Sequence, residues 1–292
     1  MRGLADFTEI IKANEPLAPY TYLKLGGPAE ALVQPRSRDE LARVVKQCIA
    51  NRIPLHVLGT GCRVLVRDEG VPGAVVRLSE PAFTALRVDG RTVHAGTGAG
   101  LSALISQASR HGLTGLETLV GIGGTVGGAL RCNAGDRSGE IGQFVRRVEV
   151  MDERGAIVVR EREELSFSSG SSNLDDPVML AAEFELEADD PDAIVKRMRR
   201  AWIQRKASQP LSFQAAARIF QNPRGRSATA LIEQAGLGKT RVGGAEVSDR
   251  NPNFIVAHPG ATARDVLRLI ELVKSRVQER FGVALELELV IW

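Results

Sequence analysis

The stretch from Gly121 to Gly135, GIGGTVGGALRCNAG, constrains this chain most: six of its fifteen residues are glycine and only one is charged. A surface linker would be polar, and a core strand would be rich in Val and Ile. The run reads as neither, and as too irregular for a helix. Glycine belongs where the backbone takes positive φ or approaches something bulky. A second glycine loop, LGTGCRVLV from Leu58 to Val66, follows an apolar strand about sixty residues earlier. Two such loops suggest a long ligand held largely by backbone N–H groups. A dinucleotide fits, because nests of turn N–H groups bind diphosphate. The competing interpretation is tight turns within a sheet.

Neither loop is a standard nucleotide fingerprint. No G-x-x-x-x-G-K-[ST] occurs. A dinucleotide fold of the G-x-G-x-x-G type needs that motif to open a helix, whereas Gly59-Thr60-Gly61 leads into the apolar run Val64 to Val66, which continues as strand.

The 292 residues are enough for two domains. A net charge of +3 falls short of what a nucleic-acid binder carries. Cys48, Cys62 and Cys132 lack metal-ligand spacing and are odd in number, so neither a disulfide scaffold nor a metal site is expected. The acidic N-terminus lacks a signal-peptide core, and no apolar run reaches the ~20 residues of a membrane helix. These features point to a cytoplasmic protein without a membrane segment.

Local patterns predict the elements. Ala29 to Val33 reads as a strand. Ser37 to Glu40 is a capping box opening a helix with Leu41, Val44, Val45, Cys48 and Ile49 on one face. Pro54 to Leu58 and Ala74 to Leu78 are strands. Asp89-Gly90 joins a hairpin, and Leu101 to Arg110 is a helix ended by Gly112. A second hairpin turns at Asp152 to Gly155, and Met179 to Leu186 alternates as a half-buried strand. The helix from Asp192 to Lys206 carries six basic residues, read as a solvated face or as a phosphate-facing patch. Beyond residue 200 come short strands, a small helix around Ala228 to Ala235 and an amphipathic helix from Ala263 to Phe281. The closing Ala284 to Trp292 alternates as one strand, with Glu286 and Glu288 on one side.

At this point the chain resembles a known family. KLGGPAE (24–30), LGTGCRVLVRDEGVPG (58–73), TGLETLVGIGGTVGGALRCNAG (114–135), QRKASQP (204–210), FQNP (220–223), LIEQAGL (231–237), NFIV (253–256) and LELELVIW (285–292) resemble UDP-N-acetylenolpyruvoylglucosamine reductases. The resemblance implies an α+β fold. An FAD-binding portion of the vanillyl-alcohol-oxidase/PCMH type spans 1–200, with subdomains of about 1–78 and 79–200. A substrate-binding α+β domain spans 201–292. It implies non-covalent FAD, NADPH as electron donor, and a UDP-sugar enolpyruvyl ether as substrate in peptidoglycan precursor synthesis.

The flavin contacts it implies are Gly26, Gly27, Gly59, Thr60, Gly61, Cys62, Arg63, Val64, Gly121, Ile122, Gly123, Gly124, Thr125, Gly127, Gly128, Ala129, Asn133, Ala134 and Gly135. Where the family has Gly-Ser-Asn, this chain has Gly61-Cys62-Arg63, and Arg63 is expected to pair with the diphosphate. Lys206 and Asn222 match substrate-side polar residues, and Glu288 matches the catalytic glutamate. Three departures stand out. Arg218 replaces the proton-donor Ser or Cys. Ser169-Gly170 replaces a Tyr-Arg pair. Asn251 replaces a His. A guanidinium stays protonated at neutral pH and cannot be the acid, although it supplies positive charge. Two interpretations remain open: a reductase with its cation moved to Arg218, or an FAD-binding relative with another substrate or no activity.

Overall fold

In the computed structural model of the protein, residues 2–136, 138–210 and 215–292 are described. The chain forms two compact units that interleave in sequence. The first comprises 1–14, 30–59 and 72–204, and the second 15–29, 60–71 and 205–292. The longest segment of the second unit begins at residue 205. However, 15–29 and 60–71, expected with the N-terminal portion, pack with the C-terminal unit. Leu23 and Leu65 share one core with Ile219, Val266 and Leu289. Val64–Leu65 also pairs in parallel with Val290–Ile291. Neither link is local in sequence.

The first unit holds two layers. One sheet runs in the order Ile11–Pro16, Pro28–Val33, Val71–Val76, Leu55–Val57, its last pair parallel. The helix Arg38–Ala50 covers it. Ser37 caps that helix by accepting from the Glu40 N–H, and Leu41, Val44, Val45 and Cys48 are buried. Burial raises the Cys48 thiol to a pKa of about 11, so it serves as an apolar filler. Ile49, expected on the same face, is exposed because it lies one residue beyond the stripe.

The second layer is a five-stranded antiparallel sheet. Its order is Ile157–Glu161, Val145–Met151, Val178–Glu185, Thr92–Gly96, Leu86–Asp89. Leu101–Arg110 packs on it through Leu101, Leu104 and Ile105, in one core with Val93, Val148 and Phe184.

A second helix, Val126–Arg131, sits inside the glycine run, which was expected to be non-helical. The correction has a physical cause. Thr125 caps the helix by accepting from the Gly128 N–H. A Cβ on Gly127 would lie 3.0 Å from Thr97 Cβ, so glycine permits this close packing. Tertiary contact overrides poor intrinsic propensity.

The second unit contains a four-stranded antiparallel sheet in the order Ala216–Arg218, Phe254–Ala257, Ala245–Val247, Arg241–Val242. Ala263–Phe281 packs on it. A full capping box between Thr262 and Asp265 starts this helix, and Gly282 ends it at φ 66°. Val266, Leu269, Ile270, Val273 and Val277 are buried, each contributing about 2 kcal/mol of apolar burial.

The expected strand from Ala284 to Trp292 is also corrected. Only Val290–Ile291 is strand, and Leu287 forms an isolated bridge to Phe220. Alternation persists in the burial of Leu285 and Leu289, while the backbone switches partners between them and the chain end. Among the described residues, no helix is long and apolar enough to cross a membrane.

Candidate functional site

In the first unit the start of the earlier glycine loop, at Gly59, meets the later one. A Cβ on Gly59 would lie 2.6 Å from Thr125 Oγ1, so only glycine lets the earlier loop rest on the helix cap. Gly121 and Gly124 take φ of 84° and 129°. Their N–H groups donate to no other backbone group among the described residues. Ile122 is partly buried against the core, and Ala129 is buried. The N–H groups of Val126 and Gly127 are committed to Ala99 and Thr97 carbonyls. Asn133, expected at the flavin, is buried with its side chain engaged internally. It donates to Glu140 Oε2 at 2.7 Å and to the Ser168 carbonyl at 3.1 Å, and accepts from the Gly142 N–H. Its neighbours are also tied down, Ala134 to the Ala129 carbonyl and Gly135 by pairing with Glu140. This end of the run shapes the loop through its own bonds.

Gly26, Gly27 and Thr60 to Val64 belong to the second unit. A Cβ on Gly27 would lie 2.2 Å from the Asp68 carbonyl, and Gly61 sits at φ 64° against Tyr20 and Thr21. The N–H groups of Thr60, Gly61 and Arg63 donate to no backbone group among the described residues. Thr60 Oγ1 is buried with no hydrogen-bond partner among them. A buried orphan hydroxyl beside unused donors suits a ligand rich in acceptor oxygens, and a flavin dinucleotide fits. Sequence reasoning missed Tyr22, whose N–H donates to the Gly61 carbonyl. Tyr22 is 40% exposed, and the partial burial of its phenol, and then the Cys62 thiol, raise its pKa.

The same unit brings Arg63, Arg218 and Glu288 together. Arg218 Nε lies 3.1 Å from Glu288 Oε2, and Arg63 Nη2 lies 3.6 Å from Oε1. Glu288 is mostly buried, with its side chain 19% exposed. The backbone enforces the arrangement. Glu288 N–H donates to the Ile219 carbonyl, and Gln221 N–H to the Glu286 carbonyl. Asn253, 1% exposed, staples this segment. Its Oδ1 accepts from the Phe220 N–H, and its Nδ2 donates to the Phe220 carbonyl. The only sequence signal for this role was the Asn of NFIV.

Other expected residues have separate duties. Asn222 Oδ1 accepts from the Ala228 N–H and so helps start the helix Ala228–Gln234. Lys206 has an exposed side chain on Pro191–Ser208, and its carbonyl accepts from Arg250. Asn251 is used structurally, receiving Thr229 Oγ1 and donating to the Ser208 carbonyl. Glu286 faces solvent, as expected.

In the first unit, Ser169 and Gly170 form the tip of the hairpin joining Phe167–Ser168 to Ser171–Ser172, with Gly170 at φ 79°. The basic helix serves neither expected role at Arg197, which binds the buried Glu117 at 2.8 Å and Asp189 at 2.6 Å. Burial alone would raise the Glu117 carboxyl. Bonds from Thr114, the backbone and Arg197 outweigh it and hold the group below its ordinary value.

Comparison with known proteins settles the family. Residues 29–160 match the model described as FAD binding domain. Residues 209–292 match UDP-N-acetylenolpyruvoylglucosamine reductase, C-terminal domain. UDP-N-acetylenolpyruvoylglucosamine reductase 2 of Symbiobacterium thermophilum is 42% identical over 97% of this chain and 92% of its own length. The chain belongs to the UDP-N-acetylenolpyruvoylglucosamine reductase family. The crystal structure of the reductase from Thermus caldophilus matches with a TM-score of 0.84 and 38% identity, over 97% of this chain and 98% of that one. Phl p 4.0202, a glucose dehydrogenase, shares the fold alone. It is 16% identical with a TM-score of 0.52, over 65% of this chain and 45% of its own. The reductase family uses FAD and NADPH, and its members are flavoprotein oxidoreductases of peptidoglycan precursor synthesis. The expected fold class, α+β with a PCMH-type FAD portion and a distinct C-terminal domain, is borne out.

Proposed function

We propose that this chain reduces the enolpyruvyl ether of UDP-N-acetylglucosamine in the cytoplasm, slowly, at a pole whose cation is Arg218. The observation that carries the reading is the 3.1 Å ion pair between Arg218 Nε and Glu288 Oε2. Bound FAD, held non-covalently and reduced by NADPH, supplies the hydride that the enolpyruvyl β-carbon takes up. The chain must then do two things. It must stabilise negative charge gathering on the substrate carboxylate, and a proton must reach the α-carbon.

Arg218 meets the first need. Its side chain is 41% exposed, so the guanidinium has donors left for a second carboxylate while Glu288 fixes its orientation. No hydroxyl or thiol stands at position 218 for the second need. Glu288 faces guanidinium groups from both of its oxygens, so the proton comes from water. Losing a positioned general acid costs roughly 10²–10⁴ in rate, hence slow turnover. We assign Lys206 and Asn222 to the UDP-sugar, Asn222 through its amide Nδ2. The FAD contacts are assigned to the glycine loops. Residues 1–200 serve mainly as the FAD-binding portion and 201–292 as the substrate-binding domain.

A second reading is favoured by Gly170. The family's Tyr-Arg pair is replaced there by a hairpin tip with φ 79°, a conformation suited to glycine. Under it the chain binds FAD and acts on another substrate or on none. Arg218→Ser decides between them. The proposal expects turnover of the UDP-sugar enolpyruvyl ether to fall by about 10-fold or more as the cation is lost. Turnover that rises or stays at zero supports the second reading.

A further inference from the structure

The guanidinium of Arg63 points to the closing segment of the chain. Its Nε and Nη2 donate to the Glu288 carbonyl at 3.3 and 3.2 Å, and Nη2 is 3.6 Å from Glu288 Oε1. The Arg63 carbonyl accepts from the Val290 N–H at 2.8 Å. One residue thus grips 288–290 with both its side chain and its backbone. The parallel pairing of Val64 with Val290 continues that grip. Both side chains are largely buried, 25% exposed for Arg63 and 19% for Glu288. Glu288 is held at four points: its N–H by Ile219, its carbonyl and Oε1 by Arg63, and Oε2 by Arg218.

We propose that Arg63 is a positioning residue for Glu288 and not a ligand of the FAD diphosphate. To reach a phosphate it would have to surrender two hydrogen bonds to a backbone carbonyl and a largely buried ion pair. The loop has other groups for that ligand, the unused N–H donors of Thr60, Gly61 and Arg63 itself and the orphan Thr60 hydroxyl. Two guanidinium groups on one carboxylate leave the pole with a net positive charge, so it still draws an anionic substrate. The hold depends on a planar fork that spans carbonyl and carboxylate together. Lysine keeps the charge and loses the fork. This inference rests on the reading that Glu288 belongs to the reacting site.

The test uses the full chain as wild type, Arg63→Met, Arg63→Lys, Glu288→Gln and the Arg63→Met/Glu288→Gln double variant. FAD affinity is measured by flavin fluorescence on apoprotein, followed by reoxidation of the NADPH-reduced flavin by the UDP-sugar enolpyruvyl ether. The expected result is FAD affinity within about threefold of wild type in both Arg63 variants. Reoxidation slows about 10²-fold in both, as when the group that orients the Arg218 cation is misplaced. The double variant is no slower than Glu288→Gln alone.

FAD affinity lowered about 10²-fold by Arg63→Met and restored by Arg63→Lys would overturn the proposal in favour of a diphosphate ligand. So would fully additive losses in the double variant. If no variant, wild type included, reoxidises with the sugar, the reductase reading fails by itself. Thermal unfolding of the same five proteins then decides for Arg63. Non-additive Tm losses at 63 and 288 support the pairing, and additive losses contradict it.

Discussion

The glycine loops and the pole around Glu288 depart from the family to very different degrees. The loops work through backbone conformation. Gly59 touches Thr125 and Gly127 touches Thr97 because neither has a Cβ. Side chains beside them can drift, as Cys62 and Arg63 have, while the unused N–H groups stay in place. The pole works through side-chain identity. Exchanging a hydroxyl or thiol for the guanidinium of Arg218 removes an acid and adds a permanent charge. A site built from N–H groups tolerates substitution that a site built from acid and base groups does not. The proposed function therefore expects cofactor binding to outlast catalytic efficiency in this chain.

The comparison is broken most severely at Asn253. Asn253→Ala leaves the buried Phe220 N–H and carbonyl without partners, a cost of about 3 kcal/mol. Thermal unfolding should show a Tm lowered accordingly, together with loss of turnover, since Arg218 and Glu288 flank that segment. A Tm near wild type would mean that the staple does not hold the pole.

A smaller effect comes from returning the family groups. The triple change Arg218→Ser, Ser169→Tyr and Gly170→Arg should raise turnover by at least ~10-fold, a fraction of what a general acid supplies. The gain is limited because φ 79° at Gly170 costs a side-chain-bearing residue about 1 kcal/mol. An unchanged rate would mean that these three positions do not limit turnover.

The smallest effect lies away from both regions, at Arg197. Glu117 and Asp189 are held below their ordinary values. Their stabilisation is therefore present above the unfolded carboxylate range, about pH 4, and is lost as pH falls through the lower folded values. Arg197→Met should lower Tm at pH 7 and flatten its decline between pH 5 and 3, read by scanning calorimetry across about that range. Parallel Tm curves for variant and wild type would sink this account.

Much of this was legible where the physics is local. The cap at Ser37, the Asp89-Gly90 turn and the stripe from Val266 to Val277 each announce themselves within a few residues. The glycine loops stood out for the same reason. Long-range pairing was not legible. The helix Val126–Arg131 exists because Gly127 packs on Thr97, a contact that propensity cannot register. Arg63 read as a phosphate ligand because a guanidinium suits one, yet its partner lies 225 residues away. Nothing in the immediate neighbourhood of NFIV marks Asn253 as the brace behind Arg218.

The most direct measurement separates the two half-reactions of the purified wild-type protein by anaerobic stopped-flow absorbance. The protein should be yellow and release its flavin on acid precipitation. NADPH should bleach that flavin. The UDP-sugar enolpyruvyl ether should then restore the colour at least about 10²-fold more slowly than NADPH removed it, the deficit expected when a positioned acid is missing. A colourless protein that stays without flavin after incubation with FAD would contradict the account of the loops. Colour returning as fast as it was lost, and equally fast in Arg218→Ser, would contradict the account of the pole.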